Sequence, residues 1–359
     1  MSNPFTPNFG KVPKIFLDRE SSLEKIVNGI SDFDSPYQTT LICGQRGTGK
    51  TAFLTDVCNK IKNDKNWIVV NLIPNGNMMQ PLIQSIYKQS SSAIKKTLDA
   101  IKGVKISAFG VEIEYRKSNN ITDYQILFED ILEKLKKNNI HLLISIDEVT
   151  NTPEIRDFAS IYQLMIREEF YLSLIMTGLP KNISELQNDK QLTFLLRSMR
   201  IELPTLNPLS VKMSYKNVFT QKITDDDILT NMAKMVDGYA YAFQLLGYLV
   251  WNHKDDFSAD TLDIIAEDYK HQLYRNAYTK IYQELSDMDK KFISTMANLE
   301  SVDISMKDIE NGMQKSKSYI SNYRSRLIEA GVIQQVGWGK VRFKLPYFKD
   351  FILEYEKFF

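Results

Sequence analysis

The residues best suited to chemistry lie in Gly44-Gln45-Arg46-Gly47-Thr48-Gly49-Lys50-Thr51, which has the spacing G-x-x-x-x-G-K-[ST]. Glycines let successive backbone N–H groups turn toward one point without Cβ interference, and a helix N-terminus behind them favours anions. Lys50 then reaches the β- and γ-phosphates of a nucleotide, and the Thr51 hydroxyl is a ligand for Mg2+. A second group, Asp147-Glu148, ends the apolar run His141-Leu142-Leu143-Ile144-Ser145-Ile146. Carboxylates at the carboxyl end of such a strand stand beside the phosphate loop. There Asp147 serves the Mg2+ shell, and Glu148 orients and polarises an attacking water. Thr177 follows the run Tyr171–Met176. A small polar residue at that strand end is placed to touch the γ-phosphate or the water.

These groups need a scaffold, and the flanking patterns supply one. Thr39–Cys43 is short, β-branched and apolar, the pattern of a buried parallel strand, and Ala52–Lys62 has helical spacing through Phe53, Leu54, Val57 and Ile61. Further strands are expected at Trp67–Ile73, His141–Ile146, Tyr171–Met176 and Ile201–Leu203. Helices are expected at 79–102, at 124–137 with Ile126, Leu127, Ile131, Leu132 and Leu135 inward, and at 153–169 with Phe158, Ile161, Leu164 and Met165 inward. Five strands alternating with helices predict a three-layer α/β nucleotide-binding domain with a parallel sheet. Ahead of it, Ser21–Glu24 reads as a capping box for a helix bearing Leu23, Ile26, Val27 and Ile30. That helix either backs a nucleotide base or covers the sheet edge. Gly103–Tyr115 alternates with a break at Phe109-Gly110, which predicts a β-hairpin inserted in the strand–helix rhythm.

Composition narrows the class. The 359 residues are 43% hydrophobic and 25% charged, a globular balance sufficient for two or three domains. A net charge of +1 requires any nucleic-acid surface to be local. Two cysteines, Cys43 and Cys58, exclude a disulfide framework and a four-thiolate zinc site, and His141, His253 and His271 are scattered. The N-terminus has no charged start followed by an apolar run, and no stretch approaches the ~18 apolar residues that span a membrane. A cytoplasmic protein without membrane association is expected.

From Leu209 the pattern is helical, at 209–220, 225–236, 239–253 and 259–284, as in a lid over a nucleotide-binding core. The last residues change character. Ser286–Asp289 and Ser305–Asp308 each cap a helix, Ser316–Ala330 is a third helix stopped by Gly331, and Val332–Val336 and Val341–Leu345 flank the turn Gly337-Trp338-Gly339-Lys340. Three helices and a hairpin predict a winged helix. Residues 315–344 carry seven basic residues against one acid, Glu329. Ile320, Tyr323 and Leu327 define the buried stripe of the third helix. Ser318, Ser321, Asn322 and Ser325 then face outward, where base edges can be read. Lys315, Lys317, Arg326, Lys340 and Arg342 flank that face and suit phosphates, with Trp338 at the hairpin tip. Double-stranded DNA is the expected partner. A winged helix used for protein contacts in a regulatory NTPase switch is the alternative.

With these parts in order, the chain resembles an AAA+ ATPase of the origin-recognition, initiator-like clade, with a C-terminal winged helix. The resemblance rests on Gly44–Thr51 (Walker A), Ile144–Glu148 (Walker B), Thr177 (sensor 1), the helical lid and residues 286–359. It implies ATP hydrolysis to ADP, made slow by the departure at 238–241, a core at 1–206, a lid at 207–284 and a DNA-binding domain at 285–359. Phe16-Leu17-Asp18-Arg19-Glu20 is similar to the clade's base-side segment, which places Asp18 and Arg19 at the nucleotide. The resemblance also makes Arg197, or its rival Arg200, an arginine finger reaching a neighbouring subunit's ATP and so implies self-association. The chain departs from the clade at Gly238-Tyr239-Ala240-Tyr241, where no lid arginine stands.

Overall fold

The fold was read from a computed structural model. It describes the chain except residues 1, 9, 33, 102, 103, 108, 109, 114–120, 254–256 and 359, and gives the backbone alone at 104–107, 110–113, 121–123 and 358. The described residues group into two compact units. One comprises Arg19–Gly44 and Lys50–Leu203; the other comprises residues 1–18, Gln45–Gly49 and Pro204–Phe359.

The first unit is built on a parallel sheet. Its strands are β1 (Thr39–Cys43), β2 (Trp67–Leu72), β5 (His141–Ile146), β6 (Leu172–Gly178) and β7 (Met199–Glu202), in the order β2-β5-β6-β1-β7, while β3 (Val104–Ser107) and β4 (Gly110–Ile113) pair with each other as an antiparallel hairpin. Strand residues are buried on both faces. Leu41, Val70, Ile144 and Leu174 share one cluster with the helices Met79–Gln89, Ile121–Lys137 and Pro153–Arg167. The intervening Ile42, Val69, Leu143 and Ile175, which alternation puts on the opposite face, are buried too. Double-sided burial is why these strands read as continuous apolar runs rather than alternating ones.

Several expectations are corrected in detail. The expected helix at 79–102 is two helices, Met79–Gln89 and Ser92–Asp99, because Ser91 turns extended and its side chain caps the second by accepting from Ile94 N. The Ser21–Glu24 capping box does not form: the helix starts at Glu20, so Ser21 lies inside its first turn, and Glu20 accepts from Arg19 N instead. Ile126 and Leu164 are exposed at 43% and 39%, one step off stripes that Leu127, Ile131 and Ile161, Met165 already fill. Of the expected 103–115 hairpin, Gly103, Ala108, Phe109, Glu114 and Tyr115 lie outside the described residues.

The second unit is helical before it turns mixed. Helices run Pro208–Val218, Asp226–Val236, Ala240–Asn252 and Ala259–Leu273, and the last continues through a π-helical turn, Tyr274–Tyr278, into Thr279–Gln283. Phe5 packs into this unit's core against Tyr215, Phe219 and Phe243, at ring-centroid distances of 5.7, 5.6 and 5.5 Å. Helices Asp287–Ala297, Met306–Met313 and Lys317–Ala330 follow, with Phe348–Phe358 last. The expected two-stranded hairpin is a three-stranded antiparallel sheet, because β8 (Ile304–Ser305) pairs with β10 (Lys340–Phe343) on the edge opposite β9 (Ile333–Gln335). Among the described residues, no helix is long and apolar enough to cross a membrane.

Candidate functional site

In the sheet unit, chemistry converges at the carboxyl ends of neighbouring strands. β5 and β1 flank β6, with Ile146 opposite Met176 and Ile42 opposite Thr177. Lys50 opens the helix Lys50–Lys62 and is buried. Thr51 Oγ1 donates to Asp147 Oδ2 at 2.6 Å, and Thr177 Oγ1 donates to the other oxygen, Oδ1. Both faces of one carboxylate are therefore fixed by threonine hydroxyls from two different elements. Thr177 is fully buried, and its hydroxyl stands on Asp147, which makes it a group that orients the carboxylate.

Glu148 is exposed, and its backbone is left-handed at φ 53°. That conformation is uncommon for a residue with a Cβ and is stored where the surroundings enforce it. Here they do: Glu148 N donates to Asp147 Oδ1 at 3.0 Å and to Thr177 Oγ1 at 3.3 Å, and Val149 N donates to Thr177 O at 2.8 Å. The strained turn sends the Glu148 side chain out at the strand end instead of into the core.

The donor set fits Mg2+. Thr51 and Asp147 offer two hard oxygens 2.6 Å apart, the small protein-side contribution that this ion takes when phosphates and water fill its shell. Mg2+ held there would supply charge neutralisation to a phosphate ligand. Among the described residues, no cluster of three or more His, Cys, Asp or Glu competes as a metal site.

In the other unit, Gln45–Gly49 forms a turn in which Thr48 Oγ1 donates to Gln45 O at 2.8 Å and Thr48 N does so at 3.3 Å. Gly47 and Gly49 have φ 76° and 89°, the left-handed geometry that turns successive N–H groups to one side. Sequence reasoning missed what holds this turn from outside. Tyr239 Oη donates to Arg46 O at 2.9 Å, Tyr241 N donates to Gly47 O at 3.0 Å, and Arg46 pairs with Glu284. Partners 190 or more residues away leave no local signal. Burial pushes the Tyr239 phenol well up, so it stays a donor across the neutral range.

The remaining candidates separate clearly. Asp18 has φ 56°, and its Oδ2 accepts from Asn207 N at 2.8 Å. Arg19 is 2% exposed at the start of the helix Glu20–Gly29. Arg200 is half-buried in a network with Glu202 at 3.2 Å and Gln187 Oε1 at 3.2 Å, beside Cys43, whose thiol burial raises and Arg200 lowers. Arg197, by contrast, is exposed at the end of the short helix Thr193–Arg197.

At the C-terminal end, Ile320 and Leu327 are fully buried and Tyr323 half-buried, while Ser318, Ser321, Asn322 and Ser325 are exposed on one face. Lys315, Lys317 and Lys340 are exposed, and Trp338 at the hairpin tip is 98% exposed. Two of the flanking cations are already engaged. Arg326 donates to the buried Asp289 at 2.7 Å, and Arg342 to Asp303 at 2.6 Å. Both acids lie upstream of the window that made this segment look so strongly basic. The Arg342 guanidinium holds the Asp303 carboxyl below its usual range.

Comparison with known structures finds the same fold elsewhere. A Walker-type ATPase of Pyrococcus abyssi superimposes with a TM-score of 0.65 at 12% identity, over 96% of this chain and 97% of that one. The ORC2 protein of Aeropyrum pernix, in ADPNP–ADP complexes, gives 0.59 at 12% identity over 98% of both chains. Its ADP form gives 0.53 at 12% identity over 97% of both. The chain thus shares the overall fold of these Walker-type ATPase and ORC2 structures. Residues 275–352 match a domain of unknown function, DUF8462. No curated protein matches the chain.

Proposed function

We propose that the protein is an ATPase that binds double-stranded DNA through a C-terminal winged helix under nucleotide control. The observation that carries the nucleotide half is the Thr51–Asp147–Thr177 constellation beside Lys50. Lys50 binds the β- and γ-phosphates, with backbone N–H groups of Gly44–Thr51 around them. Thr51 and Asp147 hold Mg2+, with Thr177 keeping the carboxylate in orientation. Glu148 receives a proton from a water attacking the γ-phosphorus; the bond to the β-phosphate oxygen breaks, leaving ADP and phosphate. The ADPNP–ADP complexes of the structurally similar ORC2 protein support this nucleotide class. Without a lid arginine at 238–241, turnover is slow. Asp18 and Arg19 border the base, and the exposed Arg197 serves a neighbouring copy's ATP if the protein self-associates.

The DNA half rests on the exposed face of Lys317–Ala330, with Lys315, Lys317, Lys340 and Trp338 around it. Its three helices and three-stranded sheet support the winged-helix reading. Arg326 and Arg342 contribute less than their number suggests, because each is held by an acid of the same chain. That observation favours the second reading, a switch whose winged helix docks on protein. A duplex titration over salt separates them. Phosphate contacts give log affinity a steep negative slope against log salt, and Lys317→Ala or Lys340→Ala lowers its magnitude by about one. Binding that is absent, or indifferent to salt, leaves the protein-docking switch.

A further inference from the structure

The variable positions of the phosphate loop have partners far along the chain. The Gln45 side chain is buried, and its Nε2 donates to Ala330 O. Ala330 is the last residue of the helix Lys317–Ala330, where carbonyls lack intrahelical partners. The next residue, Gly331, has φ 56°, and a Cβ there would overlap Nε2 and Cδ of Gln45. Glycine at 331 therefore does two things: it takes the left-handed cap and it makes room for Gln45. Arg46 offers Nη2 and Nε to the two carboxylate oxygens of Glu284, at 2.7 and 3.2 Å. The backbone carbonyls of Arg46 and Gly47 are held by Tyr239 and Tyr241.

We propose that Gln45 and Arg46 are positioning residues through which the 275–352 segment clamps the phosphate loop in its nucleotide-ready shape. This rests on the nucleotide reading above and assigns a role to the segment that matches the domain of unknown function. With both side chains and both carbonyls held by partners, the left-handed turns at Gly47 and Gly49 are kept in one shape before any anion arrives. A loop ordered in advance does not pay its ordering entropy when nucleotide arrives, so the clamp raises affinity for nucleoside di- and triphosphates. Coupling is reciprocal, so bound nucleotide holds the C-terminal segment more firmly in return.

The test uses the full chain and titration with a fluorescent ATP analogue in Mg2+. Gly331→Ala drives a methyl group into Gln45 and raises Kd about tenfold, within the usual range of site-to-site coupling. Gln45→Ala raises Kd severalfold, and Gly331→Ala added to Gln45→Ala costs nothing further, because the collision partner has gone. A purely structural cost at the left-handed position would be the same in both backgrounds. Gly331→Asn, which adopts that conformation readily, carries the same Cβ if the alanine variant folds poorly. Hydrogen exchange at 317–335 slows on adding nucleotide in the wild type and does not in Gln45→Ala. Wild-type binding with additive Kd effects, or with Gly331→Ala at wild-type affinity, overturns the clamp alone. No binding by the wild type overturns the nucleotide reading and the clamp with it.

Discussion

Asp147 has a threonine hydroxyl on each carboxylate oxygen, and that arrangement sets what each residue can be asked to do. In the proposed centre Thr51 would share Mg2+ with it, while Thr177 holds the carboxylate's other oxygen. Thr177→Ala should therefore act through the metal. We expect a 10–100-fold loss in Mg2+ affinity or turnover, the range seen when groups behind a metal ligand are removed, with nucleotide binding in EDTA little changed. Equal loss with and without Mg2+ would place Thr177 on the nucleotide instead. The motif residues were legible because their chemistry is encoded in local spacing: eight residues for the loop, and a strand end for Asp147-Glu148. The partner of Thr177 was not, since the sequence offers a strand-end hydroxyl but no direction for it. The same is true of the left-handed Glu148, whose strain exists only once Asp147 and Thr177 both accept its N–H.

Among the elements, the C-terminal helices show how much a stripe and a cap reveal. Ile320 and Leu327 are buried, and Ser286 with Asp289 forms the full capping box expected for Asp287–Ala297. The sequence did not disclose that Asp289 also receives Arg326, 37 residues later, so one carboxylate joins two helices. Asp289→Ala should destabilise the protein by about 1–3 kcal/mol in chemical denaturation, mostly through the lost cap and the stranded donors. Arg326→Ala should cost under about 1 kcal/mol, because its side chain is half exposed and water screens the pair. The reverse ranking would mean that the ion pair, rather than the cap, fixes the helix. The third strand β8 was equally hidden: two residues carry no alternation to read, and pairing with β10 decides their structure. The π-helical turn at Tyr274–Tyr278 likewise sits inside a pattern that reads as one unbroken helix.

For the molecule as a whole, the fold class came through because parallel-strand burial is written in contiguous residues. What holds the loop from outside was invisible, as Tyr239, Glu284 and Ala330 are separated from it by most of the chain. Charge was legible in amount and misleading in use: acids at 289 and 303 neutralise two of the cations counted toward DNA. The central claim, that Gly44–Thr51 and Asp147-Glu148 form one ATP-hydrolysing centre coupled to DNA, is tested most directly by ATP turnover of wild type and Glu148→Gln, each with and without duplex. The account predicts slow turnover that duplex stimulates, and loss of at least ~100-fold in Glu148→Gln with ATP binding retained, as for removal of a group that acts on the attacking water. Turnover unchanged by Glu148→Gln, or absent from a wild type that binds ATP, would contradict it.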